Sequence, residues 1–370
     1  MSDLAQDERW MRLALSLAQR GLGRVWPNPA VGCVIVKDGK LLGRGWTQSG
    51  GRPHAETEAL SQAGDAANGA TAYVTLEPCA HHGKTPPCAN ALVDAGVKRV
   101  VSALDDPDSR VAGQGYKTLR DAGVEVTEDV LVDAAADLNQ GFLLNRTIGR
   151  PMFTLKMASS IDGRIATAAG ESRWITGPEA RRQVHLMRAR HDAVLIGAGT
   201  ARADDPLLDV REIGMAGDNP IRIILDGGLS LSLTSRLART ANDTPLWICH
   251  RAGLDKARLK TWNEIGVTLI EVAHNGTGEL DLVDMAIQLG KRGLTRVLCE
   301  GGGGVASSMI AAELVDTLVI FTAGLAIGSE GQGVFGPLQI DVLKDAPRFD
   351  LVKTRTIGRD NMTTWKPSAR

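Results

Sequence analysis

Apolar positions along the chain alternate between helical and strand spacing many times. Trp10, Leu13, Ala14, Leu17 and Ala18 fall on one face at helical spacing, which predicts a helix over 8–20. A continuous apolar run over 30–36 reads as a buried strand. Asp38-Gly39 then predicts a tight hairpin into a second strand over 41–46. A short helix is expected over 54–63, stopped by Gly64. A strand follows over 71–76, a helix over 88–95 ended by Gly96, and another strand over 97–104. Two further strand–helix alternations run to about residue 145. This order predicts a mixed α/β sheet covered on both faces.

The pattern restarts after a polar turn at 145–151, which divides the chain into 1–149 and 150–370. Strands are expected at 152–158, 193–197, 221–226, 245–249, 267–272, 296–299 and 314–321, with helices between several of them. Thr176-Gly177-Pro178-Glu179 carries capping-box residues and a first-turn proline, so it predicts a helix start. The second half is therefore α/β as well. A length of 370 residues suits two domains.

Composition narrows the function classes. No run of about 20 apolar residues is present, so no membrane span is expected. The N-terminus is charged where a secretory signal needs an apolar core, which predicts a cytoplasmic protein. Lys and Arg total 42 against 43 Asp and Glu, a net charge of -1, and that balance argues against a nucleic-acid partner. Of the five cysteines, Cys33, Cys249 and Cys299 sit in apolar runs and read as buried strand residues. Cys79 and Cys88 differ, because they flank a polar, proline-rich loop.

His54-Ala55-Glu56, followed by Pro78-Cys79 and later Cys88, matches the order of ligands and acid/base in zinc deaminases. One imidazole and two thiolates hold a tetrahedral zinc and leave a fourth position open. A carboxylate beside that position can take and return a proton, the role that suits Glu56. Residues two apart do not share a helix face, so His54 and Glu56 converge only if His54 stands at the start of its helix. A capping or surface His54 with two unrelated cysteines is the competing reading. The pattern departs from C-x-x-C, with eight residues between the cysteines. His81 or His82 in that insert is either a further ligand or a plain loop residue. A base or tRNA deaminase with an unrelated second domain predicts C-x-x-C and a basic patch, and both are missing. A structural zinc site would be closed by four protein ligands.

The segment from Glu77 to Cys88, EPCAHHGKTPPC, closely resembles the bifunctional riboflavin-biosynthesis deaminase/reductase family, as do 27–36 and His54-Ala55-Glu56. In the second half, 155–164, 172–176, Arg188, Thr200 and Asp204-Asp205-Pro206 continue the resemblance in order. It implies a cytidine-deaminase-like three-layer domain followed by a dihydrofolate-reductase-like α/β domain. It also implies one zinc per chain and NADPH. The implied reactions are deamination of a phosphorylated diamino-pyrimidinone and reduction of its ribosyl group to ribityl. A homo-oligomer is expected. Val25-Trp26 and Asp108-Ser109 depart from the family pattern in loops.

Cys299-Glu300 followed by Gly301 to Gly304 ends a strand and opens a helix, where bare backbone makes a phosphate cradle. A flexible turn is the plainer alternative, and Gly197-Ala198-Gly199 reads as such a turn. With the resemblance, Gly302, Gly303, Gly304, Val305, Ala306, Ser307 and Ser308 become cofactor candidates, with Ala158, Trp174, Thr200 and Asp204. The substrate side is expected at Ser172, Arg188, Leu208, Arg211 and Glu300. The two arginines are expected to offer guanidinium forks to a 5'-phosphate. Lys156, His81, Lys84 and Asn28 are further candidate contacts.

Overall fold

A computed structural model describes residues 3–80, 86–107, 112–214, 219–276 and 278–368. The chain divides into two compact units, Met1–Gly149 and Arg150–Arg370. No helix among the described residues is long and apolar enough to cross a membrane.

The first unit runs α1 (Asp3–Ala18), β1 (Gly32–Lys37), β2 (Lys40–Trp46), α2 (Ala55–Ala63), β3 (Thr71–Val74), α3 (Cys88–Asp94), β4 (Arg99–Ser102), α4 (Gln114–Asp121), β5 (Glu125–Thr127) and α5 (Val132–Ile148). Its five strands lie in the order β2-β1-β3-β4-β5. β1 pairs antiparallel with β2 and β3, while β3, β4 and β5 are parallel. The side-chain alternation of β1 builds two cores. Cys33 and Ile35 pack with α2, α3 and α4, whereas Val34 and Val36 pack with α1 and α5. The result is the expected three-layer sandwich.

One close approach positions the site. A Cβ on Gly43 would lie 2.0 Å from the Ala59 carbonyl oxygen, and one on Gly45 would lie 2.2 Å from that of Ala55. The backbone of α2 therefore rests directly on β2, a contact open only to glycine at these strand positions.

The second unit runs β6 (Met152–Ser160), β7 (Arg164–Ala166), α6 (Pro178–Ala189), β8 (Ala193–Gly197), α7 (Ala198–Asp204), β9 (Ile221–Leu225), α8 (Arg236–Arg239), β10 (Leu246–Arg251), α9 (Lys256–Glu264), β11 (Thr268–Val272), α10 (Leu282–Lys291), β12 (Arg296–Cys299), α11 (Gly303–Ala311), β13 (Thr317–Ala323), β14 (Gln332–Gly333), β15 (Phe349–Ile357) and β16 (Asp360–Pro367). The nine-stranded sheet has the order β11-β10-β9-β8-β12-β6-β13-β16-β15. It is parallel except at β16, which runs antiparallel to β13 and β15.

Two details differ from the sequence expectations. The β15–β16 hairpin was not anticipated, because β15 is exposed along nearly its whole length and shows no buried face to produce a period-two pattern. At the start of α6 the cap is Gly177, with no side-chain cap. Its N–H instead donates to Asp360 Oδ2 at 2.7 Å, so a residue far along the chain does the work expected of the capping box.

The glycine contact yields a test of how α2 is seated. Gly45→Ala should lower stability by about 1–3 kcal/mol, the usual cost of overpacking. A thermal or urea melt of the variant checks this, and an unchanged midpoint would mean that α2 is free to shift.

Candidate functional site

His54 caps α2 in an extended conformation, and its side chain makes no capping bond. Its ring is thus left to point at the cysteines. His54 Nδ1 lies 3.2 Å from Cys88 Sγ and 3.7 Å from Cys79 Sγ. One ligand atom from each of the three residues lies within 4.8 Å of the others. Zinc bond lengths of roughly 2.0–2.3 Å at tetrahedral angles put ligands roughly 3.4–3.8 Å apart, so the imidazole and two thiols fit one zinc ion. Cys88 opens α3, where the helix dipole favours a thiolate, and its N–H donates to Cys79 Sγ at 3.4 Å. The hydrogen bond from Cys88 and the neighbouring His54 pull the Cys79 thiol down to about 4. The same bond and burial push Cys88 up.

Glu56 occupies the first turn of α2 and is 4% exposed. Burial first, and then the Cys79 charge, push its carboxyl up to about 7. Asn28, His54, Glu56 and Cys79 line one cavity of about 510 Å³. Cys88 stands behind them, buried. His81 and Lys84 lie outside the described residues. Sequence reasoning missed Glu77, Asp106, Phe142 and Arg146 on the same cavity. Glu77 stood inside the quoted motif, but Phe142 and Arg146 lie on α5 and carry no local signal. Burial raises the thiols of Cys33, Cys249 and Cys299, as expected of inert strand cysteines.

In the second unit, a cavity of about 550 Å³ gathers Lys156 and Ala158 of β6, Ser172 and Trp174 of the following loop, and Arg188 of α6. Thr200 and Asp204 of α7, Leu208, Arg211 and Glu300 complete it. Arg181 and His185, not singled out from sequence, line it too. Arg181 stacks over Trp174, 4.5 Å from the ring centre.

The two arginines differ from the expectation of paired phosphate forks. Arg188 Nε and Nη2 donate to Glu300 Oε1 and Oε2 at 2.6 and 2.9 Å, and Nη1 donates to the Asp209 carbonyl at 3.0 Å. That fork is already engaged. Arg211 is half-exposed and pairs with Asp209 and, at 3.6 Å, with Glu212. Burial opposes ionisation of Glu300, but Arg188 and Lys156 outweigh it and hold the carboxyl at about 2. Burial in turn lowers the Lys156 ammonium.

The glycine turn meets this cavity at one point, where the Gly302 N–H donates to Thr200 Oγ1 at 3.0 Å. Gly302 caps α11. The start of that helix is partly covered: Gly336 N–H donates to the Gly303 carbonyl at 3.1 Å, and Ser307 Oγ donates to the Gly336 carbonyl at 2.9 Å. Ala306 is fully buried, and Val305 is half-buried on the side of Gly197. Gly304 and Ser308 face solvent, and a Cβ on Gly304 would meet nothing within 4 Å. The open approach to the cradle is therefore at Gly304.

A family model described as the RibD C-terminal domain matches residues 151–363, and the cytidine and deoxycytidylate deaminase zinc-binding region matches 4–104. The riboflavin biosynthesis protein RibD of Escherichia coli (strain K12) is 43% identical over 366 residues, covering 96% of this chain and 98% of that protein. The structure of Acinetobacter baumannii RibD, form 1, superposes with a TM-score of 0.89 at 40% identity, covering 99% of this chain and 100% of that one. A Thermotoga maritima diaminohydroxyphosphoribosylaminopyrimidine deaminase/5-amino-6-(5-phosphoribosylamino)uracil reductase superposes at 0.85 with 33% identity, covering 99% of each chain. The chain belongs to the RibD family of bifunctional riboflavin-biosynthesis enzymes, which join a zinc-binding deaminase domain to a reductase domain.

Proposed function

We propose that residues 1–149 deaminate 2,5-diamino-6-(5-phosphoribosylamino)pyrimidin-4(3H)-one and that residues 150–370 reduce the ribosyl group of the resulting 5-amino-6-(5-phosphoribosylamino)uracil to ribityl. The observation that carries the first half is the convergence of His54 Nδ1, Cys79 Sγ and Cys88 Sγ beside buried Glu56. These three side chains would hold zinc, which supplies Lewis-acid activation of water when bound. Glu56 takes the proton that the attacking water gives up. It returns it to the exocyclic nitrogen, so that the bond from the ring carbon to that nitrogen breaks, the water oxygen stays on the carbon and ammonia leaves. Asn28 lines the cavity as a contact for the ring.

In the second half, NADPH supplies a hydride when bound. The chain's own part is to bind and orient. The first turn of α11 at Gly304 offers backbone N–H groups to the pyrophosphate, supported by the helix dipole. Thr200, Trp174 and Asp204 stand on the cofactor side. Arg211 meets the 5'-phosphate. Arg188 and Glu300 form the buried floor beneath the sugar, and Lys156 beside Glu300 is the leading candidate for the proton that the sugar oxygen must receive.

A homo-oligomer completes the reading. β15 is the outer strand of its sheet, and Leu351 and Val352 are 54% and 56% exposed on it. These two side chains make a small exposed apolar patch that a second copy can cover. The five free cysteines fit a reducing, cytoplasmic setting.

Metal content, turnover, ligand binding and gel filtration check these assignments. Cys88→Ala should lose most of its zinc by metal analysis, whereas Glu56→Gln should keep it. Deaminase turnover of Glu56→Gln should fall by roughly 10²-fold or more, with reductase turnover unchanged. A Glu56→Gln enzyme that deaminates well removes Glu56 from the proton path. For the reductase, Gly304→Val should weaken NADPH binding without affecting deamination. Arg211→Ala should instead weaken substrate binding by about 1.5–3 kcal/mol and leave NADPH affinity alone. Identical patterns in the two variants would sink the division of the cavity. Finally, the wild type should elute as an oligomer in gel filtration and Leu351→Lys with Val352→Lys as a smaller species; a monomeric wild type overturns the pairing.

A further inference from the structure

Glu77 is neither a metal ligand nor the proton carrier, yet its carboxylate is buried at 5% exposure two residues before Cys79. Both oxygens are taken by backbone N–H groups from a remote segment. Oε2 accepts from Asp106 at 3.2 Å and from Gly113 at 2.9 Å, and Oε1 accepts from Gly115 at 2.8 Å. Gly113 caps α4 and Gly115 lies in its first turn, where unpaired amides and the dipole favour an anion.

The backbone of Glu77 docks on the same segment. Its N–H donates to the Leu104 carbonyl at 2.8 Å. The Pro78 carbonyl oxygen stands so near Gly115 that a Cβ there would lie 2.0 Å from it. Glu77 and Asp106 both line the cavity that contains His54, Glu56 and Cys79. Charge-assisted hydrogen bonds are short and directional, so three of them on one buried carboxylate make a stiff joint. That joint ties the wall carrying Asp106 to the loop carrying Cys79.

We propose that Glu77 is a positioning residue for deamination. It holds the Asp106 side of the cavity at a fixed distance from the metal cluster and Glu56, so that the substrate ring lies in reach of both. This rests on the reading of the cavity as the deaminase site. A small misplacement of a cavity wall costs binding and orientation, even where the chemical groups are intact.

The test compares Glu77→Gln and Glu77→Asp in the full-length, zinc-loaded enzyme. The amide has nearly the shape of the carboxylate but turns one acceptor into a donor facing amide N–H groups. In Glu77→Gln the KM for the deaminase substrate should rise roughly tenfold or more, the weight of a lost hydrogen bond to a charged group. The kcat should change far less. Zinc per chain and reductase turnover should match the wild type. Glu77→Asp keeps both acceptors on a shorter stem, so its KM should fall between the two. An unchanged KM in Glu77→Gln overturns the proposal. So does a loss of zinc that matches the loss of activity, because Glu77 would then act only through Cys79. If Glu77→Gln does not fold, Glu77→Asp decides alone: a raised KM with kcat retained supports the role, and an unchanged KM removes it. A wild-type enzyme that fails to deaminate at all would count against the deaminase reading instead.

Discussion

A tetrahedral metal accepts ligands only within a few tenths of an ångström, and here the three candidate ligands come from a helix cap, a loop and the first residue of another helix. Their convergence depends on the depth at which α2 sits on the sheet. Gly43 and Gly45 remove two side chains from β2, and the carbonyls of Ala59 and Ala55 occupy that space. The same seating buries Ala55 and Ala59 in the core and turns His54 and Glu56 toward the cavity. A helix held off by one methyl layer would carry His54 away from Cys79 and Cys88. Glu56 travels on the same helix, so it keeps its geometry relative to His54.

The second unit solves a related problem with charge instead of close backbone contact. A buried arginine and a buried glutamate are each costly alone and tolerable when hydrogen-bonded to one another. Arg188 and Glu300 meet through two parallel bonds, with the Asp209 carbonyl taking a further donor. The pair joins α6 to the end of β12, where the glycine turn begins. Lys156, half-buried beside the pair, is pulled between desolvation and the Glu300 charge. The cavity thus has a fixed ionic floor and a more open rim at Arg211 and Trp174.

Much of this was legible in the chain. The change from period two to helical spacing predicted the α/β order, because one-sided burial leaves that imprint on every strand and helix packed against the sheets. His54, Glu56, Cys79 and Cys88 were legible because the chemistry restricts residue type and order, and because three of them stand at the ends of elements that glycine and proline mark. The β15–β16 hairpin was not, since a strand exposed on both faces has no pattern to read. Arg188 was singled out, but its engagement by Glu300 was not, for the partner lies 112 residues away.

Local periodicity was enough to specify element order and the glycine turn that opens α11, because each depends on residues close together in the chain, and short motifs singled out His54, Cys79 and Cys88, which the fold brings together. The tertiary structure alone decided which groups face one another across long separations: Glu77 with the amides of Asp106, Gly113 and Gly115, Gly302 with Thr200, and the start of α11 with Gly336. Those contacts follow from how layers pack, and packing is a property of the whole unit that no local window of sequence contains.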